Sequence, residues 1–401
     1  MPTIADAPGP NFAPDALREA AERKSGRSDY GSDSYTAALA PLLYSIEHEA
    51  ALTDAGRREV WGRIVDALAN RLTLVAWEKA NPGPASAPVD APLVVLGLGR
   101  TGSSILHETL SAAPGRRAPR TWEVRDFSLV HAVTDAASDE RIRRLDADIA
   151  RANDRVPGYA AIHHSDAHVP MECVALTALD LVSIQFATIA WAPTYREFLV
   201  SVDPRSAYQW HQRALRFLQA GKPRARWVLK APMHSLYIDT LAQTYPDAMI
   251  VQTHRDPTTV LASMCSLYAT LRQARSDRTD TQGQAAADVA YTVEGIQRAV
   301  DYRNDHPDFD VRCRDVSFKE FMADPAATLA GIHEHFGVEL TGQARSAMLG
   351  YLRNRPRDKY GRHHYSLEQF GLTHEKLVPW WPTTPTASPG SYRTGGSPGS
   401  G

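Results

Sequence analysis

The sequence predicts an α/β fold: a parallel sheet flanked by helices, with helices ahead of it and a helical insert within it. Three observations predict this class. Short, fully apolar runs rich in β-branched residues, such as Leu93-Val94-Val95-Leu96, recur along the chain and suit buried parallel strands. Most of these runs lead into a stretch with helical spacing, the alternation that builds a parallel sheet. Finally, 401 residues at 43% hydrophobic and 22% charged supply a sizeable core and exclude general disorder.

Taken in order, residues 14–80 read as helices. Thr53-Asp54 caps a run in which Val60, Ile64, Leu68, Leu72 and Val75 share one face. The Pro-, Gly- and Ala-rich stretch after Asn81 is a linker, so 1–90 forms an N-terminal helical segment and 91–375 the α/β domain. There, Leu93 to Leu96 is a strand, Gly97 to Gly102 a turn and Ser103 to Ala113 a helix. The insert spans about 124–222. Within it the longest apolar stretch, Ala175 to Ala192, carries Asp180, Ser183 and Gln185, which marks a buried helix rather than a membrane span. Trp227-Val228-Leu229 and Ala248 to Val251 are strands, followed by helices over Ser235–Thr244 and Thr258–Arg272. A strand around Asp310 to Arg314 precedes helices near 317–336 and 342–353. The polar stretch Arg275 to Gln284 reads as a mobile loop, and residues 376–401, rich in Pro, Gly and Ser, as a disordered tail.

Composition narrows the function. Lys and Arg total 44 against 46 Asp and Glu, a net charge of −2 that disfavours a dedicated nucleic-acid binder. Cys173, Cys265 and Cys313 lie far apart, with no C-x-x-C or C-x-x-H spacing. That fits a reducing compartment and no standard zinc site. Met1 to Pro14 has neither the basic start nor the apolar stretch of a signal peptide. The expectation is a cytoplasmic protein with no transmembrane segment, no metal and no nucleic-acid partner. Its oligomeric state, a homodimer among the options, is not encoded in these features.

Two stretches carry chemistry. The first is the strand-to-helix turn Gly97-Leu98-Gly99-Arg100-Thr101-Gly102-Ser103-Ser104, a P-loop-like arrangement that presents backbone N–H groups to an anion. Gly97, Gly99 and Gly102 satisfy G-x-G-x-x-G, and Glu123 lies 21 residues beyond Gly102, as in dinucleotide-binding sites. However, Arg116-Arg117-Ala118-Pro119-Arg120 precedes Glu123 where that site needs an apolar strand. A cation and three hydroxyls at one helix start also suit a terminal, multiply charged oxyanion better than a passing pyrophosphate. A nucleoside-triphosphate loop would need G-K-[ST], which is absent. The second stretch is Ile250-Val251-Gln252-Thr253-His254-Arg255-Asp256-Pro257, with Ser263 eight residues after Arg255. An arginine at a strand's end and a serine two turns along the next helix can converge on one phosphate.

With both stretches in this order, the chain resembles the sulfotransferases that use 3′-phosphoadenosine 5′-phosphosulfate (PAPS), in particular the bacterial branch carrying R-T-G-[ST]-[ST] followed by W-E. The stretches His168 to Cys173, Trp227 to His234 and Lys359 to Ser366 match as well, so the resemblance covers roughly residues 90 to 375. It implies PAPS as co-substrate, adenosine 3′,5′-bisphosphate as product, and metal-independent transfer to a hydroxyl of a small-molecule or lipid-like acceptor. It places Arg100, Thr101, Gly102, Ser103 and Ser104 on the 5′-phosphosulfate, and Arg255 and Ser263 on the 3′-phosphate. Lys359 and Gly361 would close over that phosphate. Lys230 matches the lysine aimed at the transferring group, Glu123 the general base and His234 an alternative base, with His163, His164 and His168 as weaker candidates. Glu123 also fits a structural ion pair, since Arg120 and Arg125 flank it. Phe186, Trp191, Tyr195, Phe198 and Trp210 of the insert fit either an acceptor pocket or ordinary core. Two other functions remain open: a catalytically divergent nucleotide-binding module of the same fold, and an NAD(P)- or FAD-dependent oxidoreductase.

Overall fold

The structure is a computed structural model that describes residues 10–136, 139–154, 166–278, 280–355, 366–373 and 375. Three helices open it: α1 (Pro14–Ser25), α2 (Thr36–His48) and α3 (Asp54–Ala80). Thr53 caps α3 by accepting a hydrogen bond from the Gly56 N–H at 3.1 Å. The predicted face of Val60, Ile64, Leu68, Leu72 and Val75 is buried. It belongs to the same hydrophobic core as Trp227, Leu229 and Ile250, so these helices pack as part of the α/β body.

Five strands form the sheet: β1 (Leu93–Leu96), β2 (Arg116–Arg117), β3 (Arg226–Lys230), β4 (Met249–His254) and β5 (Cys313–Ser317). Their order is β2-β3-β1-β4-β5, and every pairing is parallel. β1 is buried along its whole length, as a central parallel strand must be. It sits between β3 and β4, so chain connections leave it in opposite directions. The crevice beyond its carboxyl end is the place where such sheets bind ligands.

The structure corrects three readings. Ala175 to Ala192 is not one helix but three short pieces, Val174–Thr177, Ala178–Asp180 and Ile184–Ile189, because Leu181 takes a left-handed backbone (φ 55°) and Ser183 caps the last piece. Arg275 to Gln284 is not a loop throughout. Arg275 and Ser276 are buried against the start of α3, where Glu59 pairs with Arg275 at 2.8 Å, and Asp280 caps a helix over Thr281–Asp305. The last strand lies at Cys313–Ser317, later than expected, since Pro307–Asp310 is a helical turn. Among the described residues, no helix is long and apolar enough to cross a membrane. The stretch 376–401 lies outside the described residues.

Candidate active site

The turn after β1 is shaped by two glycines. A Cβ on Gly97 (φ 131°) would stand 2.6 Å from the Thr253 hydroxyl, and one on Gly102 (φ 87°) would stand 2.2 Å from the Phe318 ring. No side chain fits either position. Gly99 has open space around it, so the middle glycine of the fingerprint answers no steric need. The helix Ser103–Ser111 begins directly after Gly102 with no side-chain cap, leaving its first N–H groups directed at the crevice. Thr101 and Ser103 turn their hydroxyls inward to the Leu98 carbonyl, at 2.7 and 3.4 Å, and Thr101 also meets the Thr253 hydroxyl at 2.6 Å. These contacts brace the turn against β4.

Three other segments arrive at the same turn. Arg100, held at φ 72°, donates from Nε to the Ser263 hydroxyl at 2.9 Å. Arg255 donates from Nη1 to the Arg100 carbonyl at 3.2 Å, with its guanidinium 4.7 Å over the Phe318 ring. The two sequence-predicted halves, more than 150 residues apart, therefore meet at Arg100. At the end of β3, buried Lys230 donates to the Ser104 hydroxyl at 3.3 Å and pairs with the Glu172 carboxylate. Glu172 is held there because the next residue, Cys173, donates its N–H to the Lys230 carbonyl at 2.8 Å. Behind the crevice, Asp315 accepts from His254 Nε2 at 2.5 Å and from Arg303 at 2.9 Å, which keeps its carboxyl below the ordinary aspartate range despite burial.

Glu123 is placed differently. One oxygen accepts from Arg117 at 2.8 Å and the other from the Arg120 N–H at 2.8 Å, closing the N-terminus of the short helix Thr121–Arg125. With both oxygens engaged and the residue buried, this is the geometry of a structural ion pair. His234 is wholly buried in the core, with Nδ1 at 2.6 Å from the Tyr208 hydroxyl, and burial pushes its pKa well below the usual imidazole value. His168 is exposed, whereas His163, His164, Lys359 and Gly361 lie outside the described residues.

The fold also gathers Cys173, His211 and His234, all buried, so that one sulfur and two ring nitrogens lie within 4.8 Å of one another. Among the described residues this is the group that could hold a soft metal ion, a grouping that spacing in the sequence did not reveal. Phe186, Tyr195 and Trp210 are core residues, while Trp191 and Phe198 are partly exposed. Glu172 and Phe318 are the site residues that sequence reasoning missed. Glu172 lies inside a matching stretch, but no spacing rule tied it to Lys230.

A sequence model of the sulfotransferase family matches residues 92–342, more than half of the chain. The omega-hydroxy-beta-dihydromenaquinone-9 sulfotransferases Stf3 of Mycobacterium tuberculosis and Mycobacterium bovis are each 25% identical over 256 residues, covering 62% of this chain. The chain spans 63% of the length of these curated relatives. Among solved structures, sulfotransferase STF1 from Mycobacterium tuberculosis is 30% identical with a TM-score of 0.80, over 93% of this chain and 99% of that one. Sulfotransferase STF9 from Mycobacterium avium is 26% identical with a TM-score of 0.83, over 94% and 96%.

Proposed function

This chain belongs to the sulfotransferase family, and from that premise we propose that it transfers the sulfuryl group of PAPS to a hydroxyl of a small-molecule or lipid-like acceptor. The observation that carries the reading is the meeting of the glycine turn with the Arg255–Ser263 segment at Arg100. One end of a bisphosphorylated donor would lie on the turn and the other on Arg255 and Ser263. The relatives named for a hydroxylated menaquinone derivative make a lipid-like hydroxyl the first acceptor to test.

PAPS supplies an activated sulfuryl group and a bisphosphate leaving group. The chain supplies position and charge. Arg100, the uncapped helix start and Ser104 hold the phosphosulfate, and Lys230 neutralises charge as the acceptor oxygen bonds to sulfur and the bond from sulfur to the phosphate oxygen breaks. Lys230 already touches Ser104, so a small movement transfers its contact from Glu172 to the donor. Glu172 is then positioned beside the transferring group to accept the acceptor's proton. In this reading Glu123, first expected to be the base, holds the helix that follows the turn, and His234 packs behind β3.

Incubation with PAPS and an acceptor panel, including hydroxylated isoprenoid quinols, should yield products heavier by one SO₃ group. No gain on any acceptor, together with no calorimetric binding of adenosine 3′,5′-bisphosphate, would overturn the proposal. For the base, Glu172→Gln should lower turnover by about 10²–10⁴-fold with little change in bisphosphate affinity. Glu123→Gln should mainly lower the melting temperature. The opposite pattern returns the role to Glu123.

A further inference from the structure

A second feature lies at the other edge of the sheet. Where β2 and β3 begin, a cleft of about 830 Å³ opens between the Pro84–Pro88 linker and the chain around His333. That volume falls within the roughly 300–1,000 Å³ of small-molecule sites. It is far from the crevice: β3 starts at the cleft with Arg226 and reaches the donor turn only at Lys230.

The cleft's charge is unusual. Register sets Arg116 of β2 directly beside Arg226 of β3, so two guanidiniums share one face of neighbouring strands. Like charges in that arrangement repel, and burial together with Arg226 pulls Arg116 down to about 10. Among the described residues neither arginine has a carboxylate partner. Arg116 Nη2 lies 2.9 Å from His333 Nε2, whose Nδ1 is 2.7 Å from the Leu329 carbonyl; that fixes a neutral ring accepting from the arginine. Arg116 Nη1 is buried and has no hydrogen-bond partner among the described residues. Lys222 and Arg224 also line the cleft, against the carboxylates of Asp90 and Glu339. The excess is two positive charges.

We propose that this cleft is a second ligand site, for a small molecule bearing a phosphate-type dianion. A monoanionic carboxylate would leave one charge uncompensated. A dianion balances both and offers oxygens to the Arg116 and Arg226 forks, the arrangement for which guanidinium is suited. The linker supplies Pro84 and Pro88 as an apolar wall for the rest of the molecule. The site is independent of the PAPS reading.

The test uses the full chain with inorganic pyrophosphate as probe and acetate at matched ionic strength as the monoanionic control. Adenosine 3′,5′-bisphosphate, which itself carries phosphate dianions, is left out, and the Arg116 and Arg226 substitutions distinguish binding in the cleft from binding at the turn after β1. Pyrophosphate should bind by calorimetry and raise the melting temperature, and acetate should not. Arg116→Gln and Arg226→Gln should each weaken binding about tenfold or more. Without ligand, Arg226→Gln should melt at or above the wild-type temperature in low salt, since it relieves the like-charge pair, which separates lost binding from lost folding. No binding under these conditions, or binding that neither substitution weakens, would overturn the site.

Discussion

In the proposed donor site Arg255 is the residue to test first, because it reaches the Arg100 carbonyl while lying over Phe318. Losing one charge-assisted contact to a phosphate costs about 1.5–3 kcal/mol. Arg255→Ala is therefore expected to weaken adenosine 3′,5′-bisphosphate about tenfold to a hundredfold, and a ligand without the 3′-phosphate far less. Equal losses for the two ligands in calorimetry would remove Arg255 from the 3′ position. At this scale the sequence was legible where spacing enforces proximity. Arg255 and Ser263 are joined by one strand end and one helix, so their convergence follows from local geometry. Glu172 was illegible because its nearness to Lys230 depends on a backbone contact from Cys173 across the insert. Glu123 fulfilled the other possibility its neighbours offered, since a carboxylate three residues into a helix turns back to the helix's own N-terminus.

At the scale of elements, the join between α3 and the broken apolar stretch of the insert rests on one buried ion pair. Arg71 donates to Asp180 at 2.8 Å and to the carbonyls of Tyr30, Ser32 and Leu179, with its guanidinium 3.7 Å over the Trp210 ring. Both side chains are fully buried, 0% and 1% exposed, so removing one leaves the other charge without compensation. Asp180→Ala should destabilise the protein by about 3–5 kcal/mol, read as a lower urea midpoint. A loss below about 1 kcal/mol would show that the pair behaves like a surface contact. Asp180 ends the second piece of the stretch, directly before the left-handed Leu181. Composition gave the burial correctly, but the partner that Asp180 meets in α3 lies outside any local window.

For the whole molecule, the buried imidazoles predict acid sensitivity. Burial lowers His107 to about 4, His211 to about 3 and His234 well below its ordinary value. Above an unfolded pKa of about 6.5, both folded and unfolded chains hold these rings neutral and stability does not depend on them. Below it the unfolded chain takes up protons that the folded one refuses. Stability then falls by about 1.4 kcal/mol per pH unit for each ring, until the folded pKa is reached. Glu59, lowered to about 2 beside Arg63 and Arg275, acts in the same direction once pH drops below the ordinary carboxylate range. The melting temperature should be flat above pH 7 and decline from about pH 6.5. A flat profile down to pH 5 would mean that the rings titrate in the folded state.

The sequence by itself determined the α/β alternation, the glycine turn after β1 and the nearness of Arg255 to Ser263, because each follows from apolar periodicity or from residues within two consecutive elements. Tertiary structure decided the rest. Which carboxylate faces Lys230, where the insert's apolar stretch breaks, and how Arg116 comes to lie beside Arg226 at the far edge of the sheet are features of the folded chain, the last set by strand register. Those contacts join positions 58 to 110 residues apart, and no local pattern of charge or hydropathy encodes which of many possible partners a side chain will meet.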